Sequence, residues 1–347
     1  MSITEREIFG QYEALARTHE YFLENAERIQ KFFRRLRPRS LAFIGCGSSY
    51  CQCRSAELSA KMRLGLPAVS IAGGDLLVNY PHYRKILQGA LLVAPSRSGS
   101  TSEVVLPVRK LKRKLKSPLI CICCREKSEL SAIADLPLAI PWAFDRSVCQ
   151  TRSVTNIYAA DLCLVAALAG DRLLLREVGR AIADGEKFMA ANKSALRELG
   201  AKDWTHAVVL ADSELEGIAG SGALSIKEIA QAPANYYHLL DVRHGPIVLV
   251  NEKTLVLMAC SPHETGRQKE LAADLKKRGA MVVSVGRGRK GLGADYHIAV
   301  PAYKNFGVMG IPFIFVPQLI SYYKAVSAGL DPDAPRGLDP WIVLKRK

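Results

Sequence analysis

Residues 90–103, which read ALLVAPSRSGSTSE, decide the fold of this chain. An apolar run of strand length leads straight into a turn of serines, glycine and threonine, and a helical pattern follows. Residues 255–263, which read LVLMACSPH, make the same transition from an apolar run to a polar turn. This repeat predicts two copies of one α/β fold.

The sequence on either side of these two segments alternates between strand-like and helical patterns. The strand-like runs are residues 41–44, 68–71, 90–94, 119–123 and 138–140 in the first half, and 207–211, 254–259, 281–285 and 297–300 in the second. Such alternation is typical of parallel sheets with right-handed crossovers. We therefore predict an α/β protein with two tandem doubly wound, Rossmann/flavodoxin-like domains whose parallel sheets are flanked by helices.

The domain boundaries follow from the same patterns. We predict a helical N-terminal segment over residues 1–38, a first domain over 39–198, a second over 199–330 and a C-terminal tail over 331–347. A length of 347 residues suits two ordinary domains.

The bulk composition is that of a soluble globular protein, with 49% apolar and 23% charged residues. We find no run of about 18 uninterrupted apolar residues, and the charged N-terminus lacks the apolar core of a signal peptide. We therefore expect a cytoplasmic protein with no membrane partner.

Nine cysteines are present, and several lie in apolar runs, as Cys121, Cys123 and Cys124 do. Buried reduced thiols explain this better than a disulfide framework. Cys51 and Cys53 form a C-x-C pair, but no second pair lies at zinc spacing. We expect no metal site.

The formal net charge is +15, and its densest basic run is residues 109–116. Val105, Val108, Leu111 and Leu115 recur there at spacings of three and four, which predicts an amphipathic helix. We interpret the charges as its solvated face, because no aromatic residues interleave with them as in nucleic-acid binders. No nucleic-acid partner is expected.

The turn from Ser96 to Ser102 joins a predicted strand to a predicted helix. Backbone N–H groups at such a helix start, together with several hydroxyls and the permissive Gly99, suit a phosphate monoester. An ordinary helix cap is the alternative, but a cap requires only one hydroxyl. The turn therefore favours an anion site.

A second glycine- and serine-rich loop, Gly45–Ser49, follows the first predicted strand. It lacks the third glycine of a dinucleotide fingerprint, and no acidic residue ends the next strand near Ala72. We therefore expect no nucleotide cofactor. Ser48 and Ser49 are candidates for sugar hydroxyls or phosphate oxygens instead.

Four motifs together resemble the SIS (sugar isomerase) family of phosphosugar-binding domains. More narrowly, the chain is similar to the isomerase half of glucosamine-6-phosphate synthase, and to stand-alone amino-sugar-phosphate deaminases and fructosamine-phosphate deglycases. The motifs are Gly45–Tyr50, Ser96–Thr101, Ser147–Thr155, and Glu228 with Arg243–Pro246.

The resemblance implies roles for matching residues. The implied phosphate ligands are Ser96, Arg97, Ser98 and Thr101, completed by Ser49. Ser48 and Gln150 fall where sugar hydroxyls are held, and Gln150 replaces a smaller hydroxyl residue. Glu228 matches the carboxylate that moves a proton between C1 and C2, and His244 matches the ring-opening histidine that reaches the site from a neighbouring subunit.

The chemistry of the last two residues agrees with these implied roles. A carboxylate in a partly desolvated site suits proton transfer beside a carbonyl, and imidazole suits ring opening near neutral pH. On their residue types alone, Glu228 could equally be a surface helix residue and His244 a capping or core histidine.

The chain also departs from the synthase pattern. Pro340 stands where the synthase has its Schiff-base lysine, with Lys345 and Lys347 further on, and we expect no glutaminase domain. The sequence thus predicts a homodimeric phosphosugar isomerase, deaminase or deglycase that acts on a hexose 6-phosphate, an amino-sugar 6-phosphate or a fructosamine 6-phosphate. It requires no cofactor. A non-catalytic sugar-phosphate sensor is the alternative, and the retained Glu228 and His244 favour the enzyme.

Overall fold

The computed structural model describes residues 2–288 and 291–344. The chain forms two compact units. The first-sheet unit comprises Gly10–Arg146, Arg152–Gly179 and the chain from Asp339 onward. The second-sheet unit comprises the chain up to Phe9, Ser147–Thr151 and Arg180–Leu338. The domain boundaries expected from the sequence stay predictions.

Ten strands and thirteen α-helices alternate along the described chain. The strands are β1 Ser40–Gly45, β2 Ala68–Ala72, β3 Ala90–Ser96, β4 Leu119–Cys123, β5 Leu136–Ala139, β6 His206–Leu210, β7 Ala234–Tyr237, β8 Thr254–Ala259, β9 Met281–Arg287 and β10 Tyr296–Val300. The helices are α1 Ile3–Phe9, α2 Gln11–Leu36, α3 Ser48–Leu64, α4 Gly73–Val78, α5 Tyr80–Tyr83, α6 Ser102–Leu115, α7 Glu129–Ile133, α8 Arg152–Ala169, α9 Arg172–Ala183, α10 Gly185–Ala201, α11 Glu216–Ile229, α12 Thr265–Lys277 and α13 Gly310–Ser327.

The two sheets have the same topology. The first has the strand order β2-β1-β3-β4-β5, and the second has β7-β6-β8-β9-β10. Every pair in both sheets is parallel. Numbered within its own half, each sheet reads 2-1-3-4-5, the flavodoxin-like order. The predicted fold class, two tandem doubly wound α/β domains, is confirmed.

One strand is missing from the sequence prediction. Strand β7 has no apolar alternation in its sequence, ANYY, and pairs with β6 in the register Val208↔Asn235. Its polar composition therefore hid it. Helix α3 begins at Ser48, so the serines of the second loop form its first turn.

The basic run lies on α6 as expected. Val105, Val108 and Leu111 are buried, while Arg109 pairs with Glu129 at 2.9 Å. Helix α6 thus packs its apolar stripe inward and turns its charges to solvent.

One segment, Phe306–Ser327, is long and apolar enough by length and composition to span a membrane. Within its most apolar window, 89% is buried inside the protein. Phe313 and Phe315 in α13 are fully buried, and the Phe315 ring meets the Phe9 ring edge-on with centroids 6.0 Å apart. This is the packing of a core helix.

Candidate phosphosugar site

The two serine-rich turns of the first-sheet unit follow neighbouring strands. β1 pairs with β3 in the register Phe43↔Val93, and β1 also pairs with β2 on its other side. The strand order therefore reverses between β1 and β3, and ligands of open α/β sheets bind at such a switch point, beyond the carboxyl ends of the strands. The topology brings both turns to this one crevice.

The turn after β3 is built from hydrogen-bonded hydroxyls. Ser96, Arg97 and Ser98 are 4%, 3% and 2% exposed. Ser96 Oγ accepts the Gly99 N–H at 3.0 Å, and Ser98 Oγ accepts the Ser100 N–H at 3.2 Å. These bonds tie the Gly99 and Ser100 N–H groups to the hydroxyls of their own turn and fix the backbone that leads into α6.

Gly99 is required by the shape of this turn. Its φ of +64° lies in the left-handed region, which side chains other than glycine rarely adopt. A Cβ at this position would overlap Ser128 Oγ and lie 3.0 Å from Cys123 Sγ. The turn therefore packs against the carboxyl end of β4 in a way that only glycine allows.

Thr101 is the residue before α6, with extended backbone and no side-chain cap bond. Its Oγ1 lies 3.5 Å from Ser98 Oγ. An ordinary cap would use the threonine oxygen to accept an N–H of the helix. That oxygen does not cap α6 here, which favours the ligand interpretation of the turn over the capping one.

The turn after β1 is equally close-packed. A Cβ at Gly45 would come within 2.7 Å of the backbone of Ser49 and Tyr50. Ser48 and Ser49 are 6% and 5% exposed and form the first turn of α3. A second helix N-terminus thus opens at the switch point, beside the turn after β3.

Cys46 is the thiol in this turn. Burial, and then the nearby Glu103 carboxylate, raise the pKa of Cys46 above its ordinary value. A thiol in such an environment stays protonated at neutral pH and is a weak nucleophile. Cys46 is therefore a packing residue of the turn rather than a catalytic group.

The C-terminal segment contacts the turn after β3, which the sequence did not predict. The Arg97 guanidinium donates to the Pro340 carbonyl. The Ser102 N–H donates to the Ile342 carbonyl at 3.3 Å, and the Leu344 N–H donates to Ser102 Oγ at 3.1 Å. Two donors of the candidate phosphate turn are thus engaged by the tail of the same chain.

Arg125 also contacts this C-terminal segment, through its guanidinium group. The Arg125 guanidinium lies 4.9 Å from the Trp341 ring centroid and 4.8 Å from the Phe144 ring centroid. Trp341 begins a short apolar run, residues 341–344 (WIVL), and this run in the tail is a sequence signal that could have indicated a docked segment. Lys345 and Lys347, the expected alternatives to a Schiff-base lysine, lie outside the described residues.

The predicted catalytic carboxylate lies in the second-sheet unit. Glu228 is the penultimate residue of α11 and is half-buried. Its neighbour Ile229 packs in one buried cluster with Cys149, the residue before Gln150. Glu228 and Gln150, which the sequence separates by almost eighty positions, are thus carried by adjoining segments.

Buried polar contacts hold the segment that carries Gln150. Ser147 Oγ donates to the Glu7 carboxylate, and Gln318 Nε2 donates to the Thr151 carbonyl at 2.9 Å. Both ends of this short segment are therefore anchored, which fixes the backbone at Gln150.

His244 lies on an exposed loop of the second-sheet unit. Its backbone N–H donates to the Asp241 carbonyl at 2.9 Å, and its side chain is exposed. Val248 and Leu249, just beyond it, are 75% and 54% exposed.

Within residues 2–288 and 291–344 no cluster of three or more histidine, cysteine or acidic residues is arranged to hold a metal ion. All nine cysteines are free. The first-sheet unit thus carries the predicted hydroxyls, Arg97 and two helix N-termini, and the second-sheet unit carries Glu228, Gln150 and His244. The roles of these residues stay predictions.

Comparisons with known proteins agree with this geometry. Residues 36–167 match the SIS domain. Glutamine–fructose-6-phosphate aminotransferase (isomerizing) of Legionella pneumophila strain Lens is 28% identical over 322 residues, which cover 88% of this chain and 51% of that protein. The enzyme of the same name from Sulfurisphaera tokodaii is 26% identical over 345 residues, covering 98% of this chain and 56% of the relative. This chain spans about half the length of such relatives.

Solved structures resemble the chain over nearly all of its length. Glucosamine-6-phosphate deaminase from Thermotoga maritima superposes with a TM-score of 0.85 and 27% identity, and covers 99% of this chain and 100% of its own. Tagatose-6-phosphate ketose/aldose isomerase from Escherichia coli has a TM-score of 0.87 and 22% identity over 99% and 95% of the two chains, which shows the shared fold. The chain thus matches the SIS domain over residues 36–167 and is similar over nearly its whole length to a glucosamine-6-phosphate deaminase.

Proposed function

We propose that this protein is an enzyme that transfers a proton between C1 and C2 of a hexose 6-phosphate or an amino-sugar 6-phosphate. One observation carries the proposal: the hydroxyl-rich turn Ser96–Thr101 lies at the switch point of the first sheet, between β1 and β3. Similarity to a glucosamine-6-phosphate deaminase over 99% of the chain supports the same class of substrate.

The phosphate ester is held in the first-sheet unit. Ser96, Ser98 and Thr101 supply hydroxyls, and the first turns of α3 and α6 supply backbone N–H groups and positive dipole ends. Ser49 donates from the neighbouring turn, and Arg97 balances the charge of the dianion. Anchoring the distant phosphate orients C1 and C2 without contact at the reacting carbons.

Glu228 is the proposed base. It removes the proton from C2 of the open-chain aldose and gives a cis-enediol, then returns that proton to C1 while the C2 hydroxyl becomes the ketone. One carboxylate thus serves as base and then as acid, with no net gain or loss of atoms. Gln150, carried on the adjoining segment, is proposed to bind a sugar hydroxyl.

An amino sugar follows the same steps with one additional reactant. Removal of the C2 proton gives an enolamine, and protonation at C1 leaves an iminium at C2. Water adds to this iminium and ammonia leaves, which gives the ketose phosphate. Isomerase and deaminase activities therefore share Glu228 and differ in the substituent at C2.

His244 is proposed to open the pyranose ring as an acid and base at the ring oxygen. We propose that it acts in a homodimer, reaching the site of the partner subunit. Its exposure, together with that of Val248 and Leu249, supports a contact between copies at this loop. We propose a cytoplasmic location, in keeping with nine free cysteines.

The test is proton exchange in deuterated water with a panel of substrates. Fructose 6-phosphate, glucose 6-phosphate, tagatose 6-phosphate and glucosamine 6-phosphate are incubated with the protein, and deuterium at C1 and C2 is followed by NMR together with ammonia release. We expect exchange with at least one of them. If none of the four sugar phosphates exchanges a proton but at least one binds clearly, the protein is a sugar-phosphate sensor and not an isomerase or deaminase.

Glu228→Gln identifies the base. We expect exchange to fall by about 10²–10⁴-fold, while the thermal stabilisation by bound sugar phosphate stays. Glu216→Gln, at the opposite end of the same helix α11, is the matched control and keeps full exchange. Unchanged exchange in the Glu228 variant removes this residue from the mechanism.

A further inference from the structure

A groove in the first-sheet unit lies away from the two serine turns. It runs between α2 and the junction of α8 with α9, and its volume is about 820 Å³. Small-molecule sites typically have volumes of about 300–1,000 Å³. Its lining residues are Leu23, Ala26, Glu27, Gln30, Arg34, Ala166, Ala167, Ala169, Gly170, Arg172, Leu175 and Arg176.

Three exposed arginines, Arg34, Arg172 and Arg176, point their charge at this groove. None of the three guanidinium groups has an ion pair or a hydrogen-bond partner among residues 2–288 and 291–344. Another exposed arginine, Arg109, is paired with Glu129 at 2.9 Å. The groove therefore concentrates uncompensated positive charge.

The arrangement of two of these arginines is unfavourable for the helix that carries them. Arg172 and Arg176 are four residues apart on α9, and like charges at this spacing destabilise a helix. They also lie in its first two turns, where the helix dipole favours acidic residues, and the first turn of α9 contains none. A bound anion would reverse both effects.

The acidic groups nearby are engaged in other contacts. Glu27 pairs with Lys31 at 2.6 Å. Asp171 Oδ1 accepts the Leu174 N–H at 2.9 Å and so caps α9, while its other oxygen lies 3.6 Å from Arg63 Nε. These carboxylates do not neutralise the three arginines.

The floor of the groove is apolar. Ala166 and Ala167 are fully or almost fully buried, Leu175 is 8% exposed, and Leu23 at the rim is 48% exposed. An inorganic ion would contact the arginines but leave this floor in water. The combination of an apolar floor and a cationic rim fits a ligand with an organic body and anionic groups.

We propose that this groove binds an organic polyphosphate of nucleotide size. Guanidinium groups match phosphate oxygens bidentately and stack on planar rings, which lysine does not. The proposal goes beyond the hexose-phosphate activity, and the groove shares no lining residue with Ser96–Thr101. Ligand binding here and sugar-phosphate binding there are separate properties.

The experiment is calorimetric titration of the full chain with ATP as the probe, at 50 mM and 150 mM salt. We expect saturable binding that weakens with salt, because the contacts are between exposed charges. Arg172→Gln/Arg176→Gln should weaken it at least tenfold, and the triple variant with Arg34→Gln should abolish it. Leu23→Glu, which places an acid at the rim, should weaken it without removing an arginine.

Arg28→Gln is the matched control, since Arg28 is an exposed arginine of α2 outside the groove. It should bind ATP as the unaltered protein does. Ser98→Ala controls for ATP entering the sugar-phosphate turn, and ATP binding should survive in it. Hexose 6-phosphate binding by the triple arginine variant should be unchanged, which separates this proposal from the proposed function.

Three results would overturn the proposal. The first is no saturable ATP binding at millimolar concentration, and the second is equal binding by the triple variant. The third is binding of pyrophosphate as tight as that of ATP, which would show that the apolar floor contributes nothing.

Discussion

The turns after β3 and after β8 occupy equivalent positions in two sheets of the same topology, yet they are filled differently. After β3, the Ser96 and Ser98 hydroxyls accept the Gly99 and Ser100 N–H groups of their own turn and fix its backbone. After β8, the side chain of Gln268 closes the turn. Its Oε1 accepts the Ser261 N–H at 3.0 Å, and its Nε2 donates to the Ser261 carbonyl at 3.1 Å and the His263 carbonyl at 2.6 Å.

The backbone at the two turns also differs. Gly99 adopts its left-handed conformation freely, whereas Glu264 adopts a φ of +48° with a side chain that this region disfavours. The comparison indicates that topology determines where a ligand could bind, and that a few side chains determine whether the space stays open. In the second sheet a glutamine amide occupies the donors and acceptors that a ligand would use.

The largest expected effect comes from Gly99→Ala. The new Cβ meets Ser128 Oγ and requires left-handed backbone, so we expect a loss of about 3 kcal/mol or more in unfolding free energy. Hexose-phosphate binding should fall below detection. Denaturant unfolding and thermal shift measure both effects.

Glu264→Gly is its counterpart in the second turn. It relieves a strained conformation and should leave the stability unchanged or slightly higher. A destabilisation by Glu264→Gly as large as that of Gly99→Ala would contradict the distinction between the turns.

The next effect concerns the amide that closes the second turn. Gln268→Leu leaves one N–H and two carbonyls of that turn without their partner, and we expect a loss of about 2 to 3 kcal/mol. Sugar-phosphate binding should be unaltered, because the Gln268 amide bonds the backbone of the second turn and not that of the candidate phosphate turn. A changed affinity for hexose 6-phosphate in this variant would argue that the second turn takes part in binding.

A hydroxyl deletion in each turn gives a smaller effect. Ser98→Ala should weaken hexose 6-phosphate binding about tenfold, since a hydrogen bond to a charged group contributes about 1.5 kcal/mol or more. Ser261→Ala removes the hydroxyl that accepts the His263 N–H at 3.2 Å and should leave that affinity unaltered. Thermal shift titration of both variants with fructose 6-phosphate measures the difference. Equal losses of hexose 6-phosphate affinity in the two variants would contradict the proposed difference between the turns.

The last prediction concerns the pH dependence of stability and compares two buried carboxyl groups. Asp161 in α8 is 1% exposed and neither of its oxygens has a hydrogen-bond partner, whereas Glu214 accepts the Gly307 N–H at 3.3 Å. Burial raises the pKa of Asp161 well above its usual range. The folded protein therefore retains a proton that the unfolded chain releases, and stability falls as the pH rises above the unfolded pKa.

Asp161→Asn removes this titration. As the pH rises from 5 to 8, the stability of the variant relative to the unaltered protein should increase by up to about 1.4 kcal/mol per pH unit, as long as the Asp161 carboxyl of the folded protein stays protonated. Glu214→Gln provides the comparison and should show no such gain. Urea unfolding at both pH values measures these stabilities. If the stability difference between Asp161→Asn and the unaltered protein is the same at pH 5 and pH 8, the raised pKa of Asp161 is contradicted.

Most strands could be predicted from the sequence, because buried parallel strands are continuous apolar runs. Leu119–Cys123 and Thr254–Ala259 agree with the structure to the residue. β7 could not be predicted, because Asn235 and the two tyrosines beside it carry no strand pattern and pair with β6 only once the sheet exists.

The candidate site was predictable where its residues are adjacent in sequence. The hydroxyls from Ser96 to Thr101 are visible as a cluster in the chain itself. The engagement of Arg97 by the Pro340 carbonyl was not, because these residues are 243 positions apart and a backbone carbonyl has no sequence signature. The groove with Arg34, Arg172 and Arg176 was missed for the same reason.

The sequence by itself determined the alternation of strands and helices, the repeat of one fold and the hydroxyl-rich turn, since each depends on neighbours along the chain. Only the tertiary structure decided that β1 and β3 are adjacent, that Gln268 closes the second turn and that Cys149 packs with Ile229 beside Glu228. These contacts arise from packing between segments far apart in sequence, and local propensity carries no information about which distant segments will meet.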